Sequence, residues 1–231
     1  MAAAQLCDDA APGRTVDKAP LDKIRLVHVL YGPGVLEDTL CGVPVALTPY
    51  SFYQVNTDGA RQLYGVAKQF ADPKPEDLLL DLYCGAGTIG LSMAREAGRV
   101  IGVEIVPSAI ESARRAAKKM GVADAAFFCA DAGTAAAQLA QDGLRPSLIL
   151  LDPPRKGCDL RTIDAVAEMS PSRVVMVSCN PATAARDAKL LAQRGYLPRR
   201  LQPVDLFPRT KHVESVLLLS KNGSEQQNGL L

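Results

Sequence analysis

Leu78-Leu79-Leu80-Asp81-Leu82-Tyr83-Cys84-Gly85-Ala86-Gly87-Thr88 passes from an apolar run into a glycine-rich turn. Leu78–Leu82 is short and apolar apart from Asp81, the pattern of a buried strand. Gly85 and Gly87 let the backbone come close to a ligand, and a helix is expected from Thr88 to about Arg95. Alone, the turn also fits a dinucleotide site, because the Gly-x-Gly-x-x-Gly spacing is complete at 85, 87 and 90. Asp81 argues against that reading. A carboxylate just ahead of the turn repels a pyrophosphate and suits an ammonium group. The turn also lacks the Lys-Ser/Thr pair of a phosphate cradle.

Outward from this turn, strand and helix patterns alternate. Strands are expected at Leu78–Leu82, Val100–Glu104, Ala126–Cys129, Leu148–Leu151, Val174–Ser178, Pro198–Val204 and Val213–Leu219. Helices are expected at Thr57–Phe70, capped by Asn56, and at Thr88–Arg95, Pro107–Met120, Thr134–Gln141, Arg161–Met169 and Thr183–Gln193. Pro107 opens its helix and Gly121 closes it, the usual asymmetry. Strands separated by helices give a mainly parallel, doubly wound sheet. Only Asp205 to His212 joins the last two strands, so that pair is expected to be antiparallel. The fold class is α/β: a Rossmann-like, seven-stranded, mainly parallel sheet with an antiparallel final strand, preceded by a short β-hairpin. That is the layout of the class I methyltransferase fold.

Residues 51–220 make up this domain. Residues 21–50 read as a hairpin, with Arg25–Leu30 and Val35–Leu40 joined through Gly32-Pro33-Gly34 and Val43–Leu47 as a candidate third strand. A hairpin alone is marginal in water, so it must lean on something else. Residues 1–20 read as flexible and 221–231 as a disordered polar tail. With 231 residues, 48% apolar and 22% charged, the composition is that of an ordinary globular chain. A net charge of +1 gives no nucleic-acid argument. No apolar run approaches the roughly 18 residues of a membrane span, and acids stand where a secretory leader has bases. No membrane partner and a cytoplasmic location are expected. The six cysteines form no Cys-x-x-Cys pair and there are two histidines, so neither a metal site nor an iron–sulfur cluster is expected.

Two more strand ends carry acids. Glu104, 23 positions after Asp81, can accept hydrogen bonds from ribose hydroxyls. Asp131 can meet an adenine amine. Each acid alone could cap a helix, but three at consecutive strand ends are costly to desolvate without a partner. With Gly85 and Gly87 they describe a pocket for S-adenosyl-L-methionine. Asp152-Pro153-Pro154 is a rigid turn holding a carboxylate at the same edge, or a Pro-rich loop with an incidental acid. After Val174–Ser178, Asn180-Pro181 delays a helix, which leaves Cys179 in the first turn beyond a strand. On position alone the inert reading of Cys179 is favoured.

SFYQVN (51–56), DLYCGAGTIGL (81–91), DPPRKGCD (152–159), VSCNPAT (177–183) and VDLFPRTKHVESVLLL (204–219) occur in this order. Together they resemble the RNA uracil-5-methyltransferase family, which makes 5-methyluridine in ribosomal and transfer RNA. The likeness runs from about Leu26 to Leu219. It implies that Cys179 is a nucleophile adding to carbon 6 of uracil, so that carbon 5 gains enolate character and attacks a methyl sulfonium. It implies that Glu214 is the base removing the carbon-5 proton and that Asp152 holds the uracil edge. Gln54, Tyr83, Thr88, Glu104, Asp131 and Asp152 match cofactor-contacting positions, although the family often has Asn where this chain has Thr88 and Asp131. The target base must leave its stack, which favours loops over duplex. Arg155, Lys156, Arg199, Arg200, Arg209 and Lys211 are candidates for phosphate contacts, with a solvated surface as the equal alternative.

Residues 30–42 look more like the ribosomal branch, so 23S rRNA is the favoured substrate, with tRNA as the alternative. Family members usually carry an N-terminal RNA-binding barrel, and many carry a four-cysteine iron–sulfur site. Neither is expected here: residues 21–50 resemble the remnant of a central RNA-binding region, the chain reads as a truncated protein or a catalytic fragment, and weak RNA binding is expected. Two other readings stay open: a methyltransferase acting on a base amino group, which needs no cysteine, and an RNA-binding module without turnover. The sequence carries no signal for oligomeric state.

Overall fold

The computed structural model describes residues 4–6, 27–47 and 52–222. The first four strands are short: β1 (Ala4–Leu6), β2 (Val27–Val29), β3 (Leu36–Leu40) and β4 (Val43–Leu47). The expected hairpin through Gly32-Pro33-Gly34 is not the one formed. β2 pairs antiparallel with β1, inside the stretch read as flexible, and β3 pairs with β4. The turn is Cys41-Gly42, with φ of 52° and 78°. Positive φ at both central residues is what a two-residue hairpin needs to match the twist of its strands, and that signal outweighs the longer Gly-Pro-Gly loop. The hairpin leans on the main domain as its size requires. Leu40 and Val43 are buried, and Ser112 donates to the carbonyl of Ala46. Most of residues 1–20, and 223–231 of the expected tail, lie outside the described residues.

The central sheet uses β5 (Leu78–Leu82), β6 (Arg99–Glu104), β7 (Ala125–Cys129), β8 (Leu148–Leu151), β9 (Arg173–Ser178), β10 (Tyr196–Val204) and β11 (Glu214–Lys221). Their order is β10-β11-β9-β8-β5-β6-β7. β5 to β9 run parallel, while β11 is antiparallel to both neighbours. The chain reverses its winding direction between β5 and β8, and in such sheets the crevice at that point is where ligands bind.

The helices are α1 (Thr57–Ala71), α2 (Thr88–Ser92), α3 (Pro107–Met120), α4 (Ala132–Gln141), α5 (Leu160–Met169) and α6 (Pro181–Ala192). α4 and α6 start two residues earlier than expected, and the caps explain both. Asp131 accepts from the Thr134 N–H, and Asn180 accepts from the Ala182 N–H. The proline after Asn180 does not delay α6. It holds Asn180 extended, the conformation an N-cap needs, and takes the first helical position itself. α2 ends at Ser92 rather than Arg95, in a run of turns.

Each face of the sheet buries its own core. On one, Leu63, Ala67 and Phe70 of α1 and Ile89 of α2 meet Leu79, Leu148, Leu150, Val175, Val177 and Val216. On the other, Ile163, Val166, Ala184 and Leu191 of α5 and α6 meet Leu80, Leu82, Ile149, Leu151, Val174, Met176 and Leu217. Cutting one such leucine to alanine costs about 2–5 kcal/mol. The end of the sheet remote from the crevice is pinned by Arg173, which grips both oxygens of buried Asp77 at 2.6 and 2.7 Å and donates to the carbonyls of Ala71 and Asp72. Among the described residues, no helix is long and apolar enough to cross a membrane.

Candidate active site

Alternation along strands decides where the chemistry-bearing side chains go. Val216, Val177, Leu150 and Leu79 all belong to the α1-facing core. Two residues further toward the crevice on each strand stand Glu214, Cys179, Asp152 and Asp81. With a period of two, all four continue toward the α1 side. The strands are neighbours in the order β11, β9, β8, β5. Glu214 opens β11 one position outward from the Ser215–Ser178 pair, which sets it across from Cys179.

Asp81 is almost wholly buried. Its Oδ2 accepts from the Gly90 N–H at 3.0 Å, while its Oδ1 is buried without a partner. Burial pushes this carboxyl up to about 7; the Gly90 bond works against the rise and Glu104 adds to it. Gly90 has to be a glycine, because a Cβ there would stand 2.7 Å from Asp81 Oδ2. Asp152, half-buried in area, is pushed up to about 8 by burial first and then by Asp81, Glu214 and Glu104. Glu214 is buried and raised by burial, with Arg155 opposing the rise. Several carboxyls gather at one edge, and one buried oxygen among them has no hydrogen-bond partner.

The turn after β5 runs through three residues of positive φ. Tyr83, Gly85 and Gly87 have φ of 65°, 54° and 77°. A Cβ on Gly85 would meet nothing within 4 Å, whereas one on Gly87 would press on Ala113 and Phe127. Gly85 therefore leaves open space, and Gly87 serves packing. Glu104 accepts from the Gly85 N–H at 3.1 Å through Oε2, and from the N–H groups of Ile105 and Val106 through Oε1. Thr88 is buried at the start of α2.

The remaining expected cofactor positions differ in what they offer. Tyr83 turns to the opposite face, with its hydroxyl 3.1 Å from Thr162 Oγ1 on α5, so its backbone rather than its phenol lines the turn. Asp131 is exposed and caps α4. The Thr134 N–H and hydroxyl both donate to its Oδ1 and hold its carboxyl below the usual range. Gln54 is half-buried in the segment entering α1. That segment is tied down by Asn56, whose Nδ2 donates to the Leu206 carbonyl and whose Oδ1 accepts from Gly59. Cys179 is half-buried, immediately beyond β9.

Sequence reasoning passes over Tyr64. It is buried on α1, and its hydroxyl is raised by burial and then by the fields of Asp152, Cys41, Asp81 and Glu214, which places it beside the acids. An aromatic on the apolar face of a helix reads as core, so the sequence carries no signal for it.

Comparison with known proteins gives one consistent result. The family model described as tRNA (Uracil-5-)-methyltransferase matches residues 46–222. A Streptococcus pyogenes protein called an uncharacterized RNA methyltransferase is 46% identical over 192 residues, covering 83% of this chain and 42% of its own length. A Lactiplantibacillus plantarum protein of the same description is 44% identical over 195 residues, covering 84% and 43%. The chain thus spans less than half the length of these curated relatives. Among solved structures, the tRNA (uracil-54, C5)-methyltransferase of Pyrococcus abyssi in complex with S-adenosyl-L-homocysteine superposes with a TM-score of 0.69 at 31% identity, over 82% of this chain and 45% of that one. An N-methyltransferase of Bradyrhizobium japonicum, 14% identical with a TM-score of 0.59 over 71% of this chain and 97% of its own, shares the fold alone.

Proposed function

Since the chain belongs to the tRNA (uracil-5-)-methyltransferase family, we propose that it is the catalytic part of an enzyme that methylates carbon 5 of a uridine in RNA, using S-adenosyl-L-methionine. The observation that carries this reading is that Cys179, Glu214 and Asp152 stand at the crevice ends of the adjacent strands β9, β11 and β8, two positions beyond Val177, Val216 and Leu150 of the α1-facing core, next to the acid-lined turn after β5.

The residues present fit the cofactor. Asp81, with an unpartnered buried oxygen, receives its positive charge. Glu104 has lone pairs left for ribose hydroxyls, Gly85 leaves room for the chain of the ligand, Thr88 opens the helix after the turn and Asp131 follows the end of β7, while Gln54 enters on the resemblance alone. When bound, S-adenosyl-L-methionine would supply an electrophilic methyl group to carbon 5, its sulfur–methyl bond breaking to leave S-adenosyl-L-homocysteine.

The chain's own residues do the rest. The Cys179 thiolate adds to carbon 6 of the flipped uracil, forming a carbon–sulfur bond and moving electron density to carbon 5. Asp152, its carboxyl raised by burial and by the neighbouring acids, hydrogen-bonds the uracil edge and stabilises the enolate oxygen as it develops. Glu214 takes the proton from the methylated carbon 5. The electron pair returns to the ring, and the carbon–sulfur bond breaks to free Cys179. Domain boundaries at 21–50 and 51–220 and a cytoplasmic location complete the proposal.

For the substrate we favour 23S rRNA, on the character of residues 30–42. The resemblance to an enzyme of tRNA uracil-54 favours tRNA as the second reading. The deciding experiment incubates the protein and S-adenosyl-L-methionine with 5-fluorouridine-substituted 23S rRNA or tRNA. Fluorine at carbon 5 cannot leave as a proton, so a covalent protein–RNA adduct accumulates on the true substrate. No adduct on either RNA from a protein that binds cofactor would sink the proposal.

A further inference from the structure

The loop that follows Asp152 is held from two sides. From α6, Asn180 Nδ2 donates to the Arg155 carbonyl at 3.1 Å and the Thr183 hydroxyl to the same oxygen at 3.3 Å. Further along, Arg186 Nη2 donates to the carbonyls of Lys156 and Cys158, and buried Asp187 accepts from the Cys158 N–H at 2.8 Å. These bonds tie the Asp152 loop to the helix that begins right after Cys179. From the other side, the guanidinium of Arg155 reaches His212 Nδ1 at 2.7 Å, two residues before Glu214. Among the described residues, this is the one side-chain hydrogen bond between the loop and the segment leading into Glu214.

We propose that Arg155 is a positioning residue: its carbonyl fixes the Cys179 turn, its side chain fixes the Glu214 turn through His212, and it thereby holds the three reacting groups in register. A guanidinium only donates hydrogen bonds, so Nδ1 of His212 is the acceptor in this pair. A side chain engaged in this way is not spare for a phosphate. The charged and titratable groups facing Glu214 are Arg155, Asp152 from the end of β8, Cys179 just beyond β9 and Tyr64 from α1. Of these, Arg155 alone lowers the Glu214 pKa, so its loss drives that carboxyl further up.

This inference rests on the proposed reaction for its rate readouts but not for its spectroscopic ones. With nitrogen-15 labelled protein, His212 is expected as the neutral Nε2–H form, and Arg155→Ala is expected to abolish that fixed tautomer. With carbon-13 labelled glutamate, the Glu214 titration is expected to move to higher pH in Arg155→Ala. Both are measured on the protein without RNA. In turnover, Arg155→Ala is expected to lose about 10-fold to 100-fold in kcat, with its ascending pH limb displaced upward and the KM for RNA within about 2-fold of wild type. His212→Asn, which keeps an acceptor, is expected to retain more kcat than His212→Ala. A rise in KM with a shallower salt dependence and an unmoved pH limb would make Arg155 a phosphate contact and overturn the inference. A His212 tautomer and Glu214 titration unchanged in Arg155→Ala would overturn it as well. If wild-type protein transfers no methyl group while both spectroscopic shifts appear, the reaction fails and the clasp stands.

Discussion

Glu214 lies across from Cys179, at the position just outside the Ser215–Ser178 pair of two antiparallel strands. A carboxyl that arrives on an antiparallel strand stands beside the thiol of the next strand, at about the 5 Å spacing of neighbouring strands. One flipped pyrimidine ring can bridge that gap, with carbon 6 toward the thiol and carbon 5 toward the carboxylate.

Replacing the nucleophile separates chemistry from fold. Cys179→Ala is expected to lower methyl transfer by more than about 10³-fold and to abolish the 5-fluorouridine adduct. Stability should change by less than about 1 kcal/mol, because the side chain is small and half-buried. Full activity in this variant would favour transfer to a base amino group instead.

Removing the base has a different signature. In Glu214→Gln the carbon-5 proton stays, so an adduct is expected to persist even with ordinary uridine, visible as a slow band on a denaturing gel. The base acts ionised, and burial raises its pKa. The wild-type rate is therefore expected to climb with pH through a point above the usual 4.3 of glutamate.

Cofactor binding is expected to release a proton. The Asp81 carboxyl is protonated below about 7, and a cation placed beside it favours the ionised form. At pH 6 the binding enthalpy should therefore depend on the ionisation enthalpy of the buffer in calorimetry, and at pH 9 it should not. Asp81→Asn should remove that dependence. If the dependence survives there, Asp152 is the group that titrates.

The same raised values set a stability trend. A group whose pKa is higher folded than unfolded stabilises the fold below its unfolded pKa, and that contribution is lost as pH rises through the folded one. For Asp81 and Asp152 the window runs from about 4 to about 8. The cofactor-free protein is expected to melt at a lower temperature at pH 8 than at pH 5.5, and Asp152→Asn should flatten the difference.

At the far end of the sheet, Asp77→Ala leaves Arg173 buried without its counter-charge. A loss of about 3–5 kcal/mol is expected by denaturant unfolding. Activity per folded molecule should not change, since the pair stands at the opposite edge from Cys179.

Much of this was legible in the residues. The alternating pattern gives each sheet strand to within two residues, because buried parallel strands are apolar runs with sharp ends. The acids at strand ends are legible because each breaks such a run. What the residues did not disclose depends on long-range geometry. The β3–β4 pairing hinges on positive φ at Cys41, a residue type that seldom adopts it. The turn of Tyr83 to the opposite face hinges on a partner 79 residues away, Thr162. The Arg155–His212 bond joins residues 57 apart, and in the sequence each looks like an ordinary surface group.

The sheet order also has a consequence for how the protein is made. β10 joins the sheet only through β11, and β11 inserts between β10 and β9. A nascent chain that has emerged as far as Asp205 holds the nucleophile, the glycine turn and most of the acids. It still has an open slot where the base belongs, and its β10 is unmoored. If the proposed reaction holds, a translation product interrupted before Glu214 would bind the methyl donor but lack the group that completes the modification.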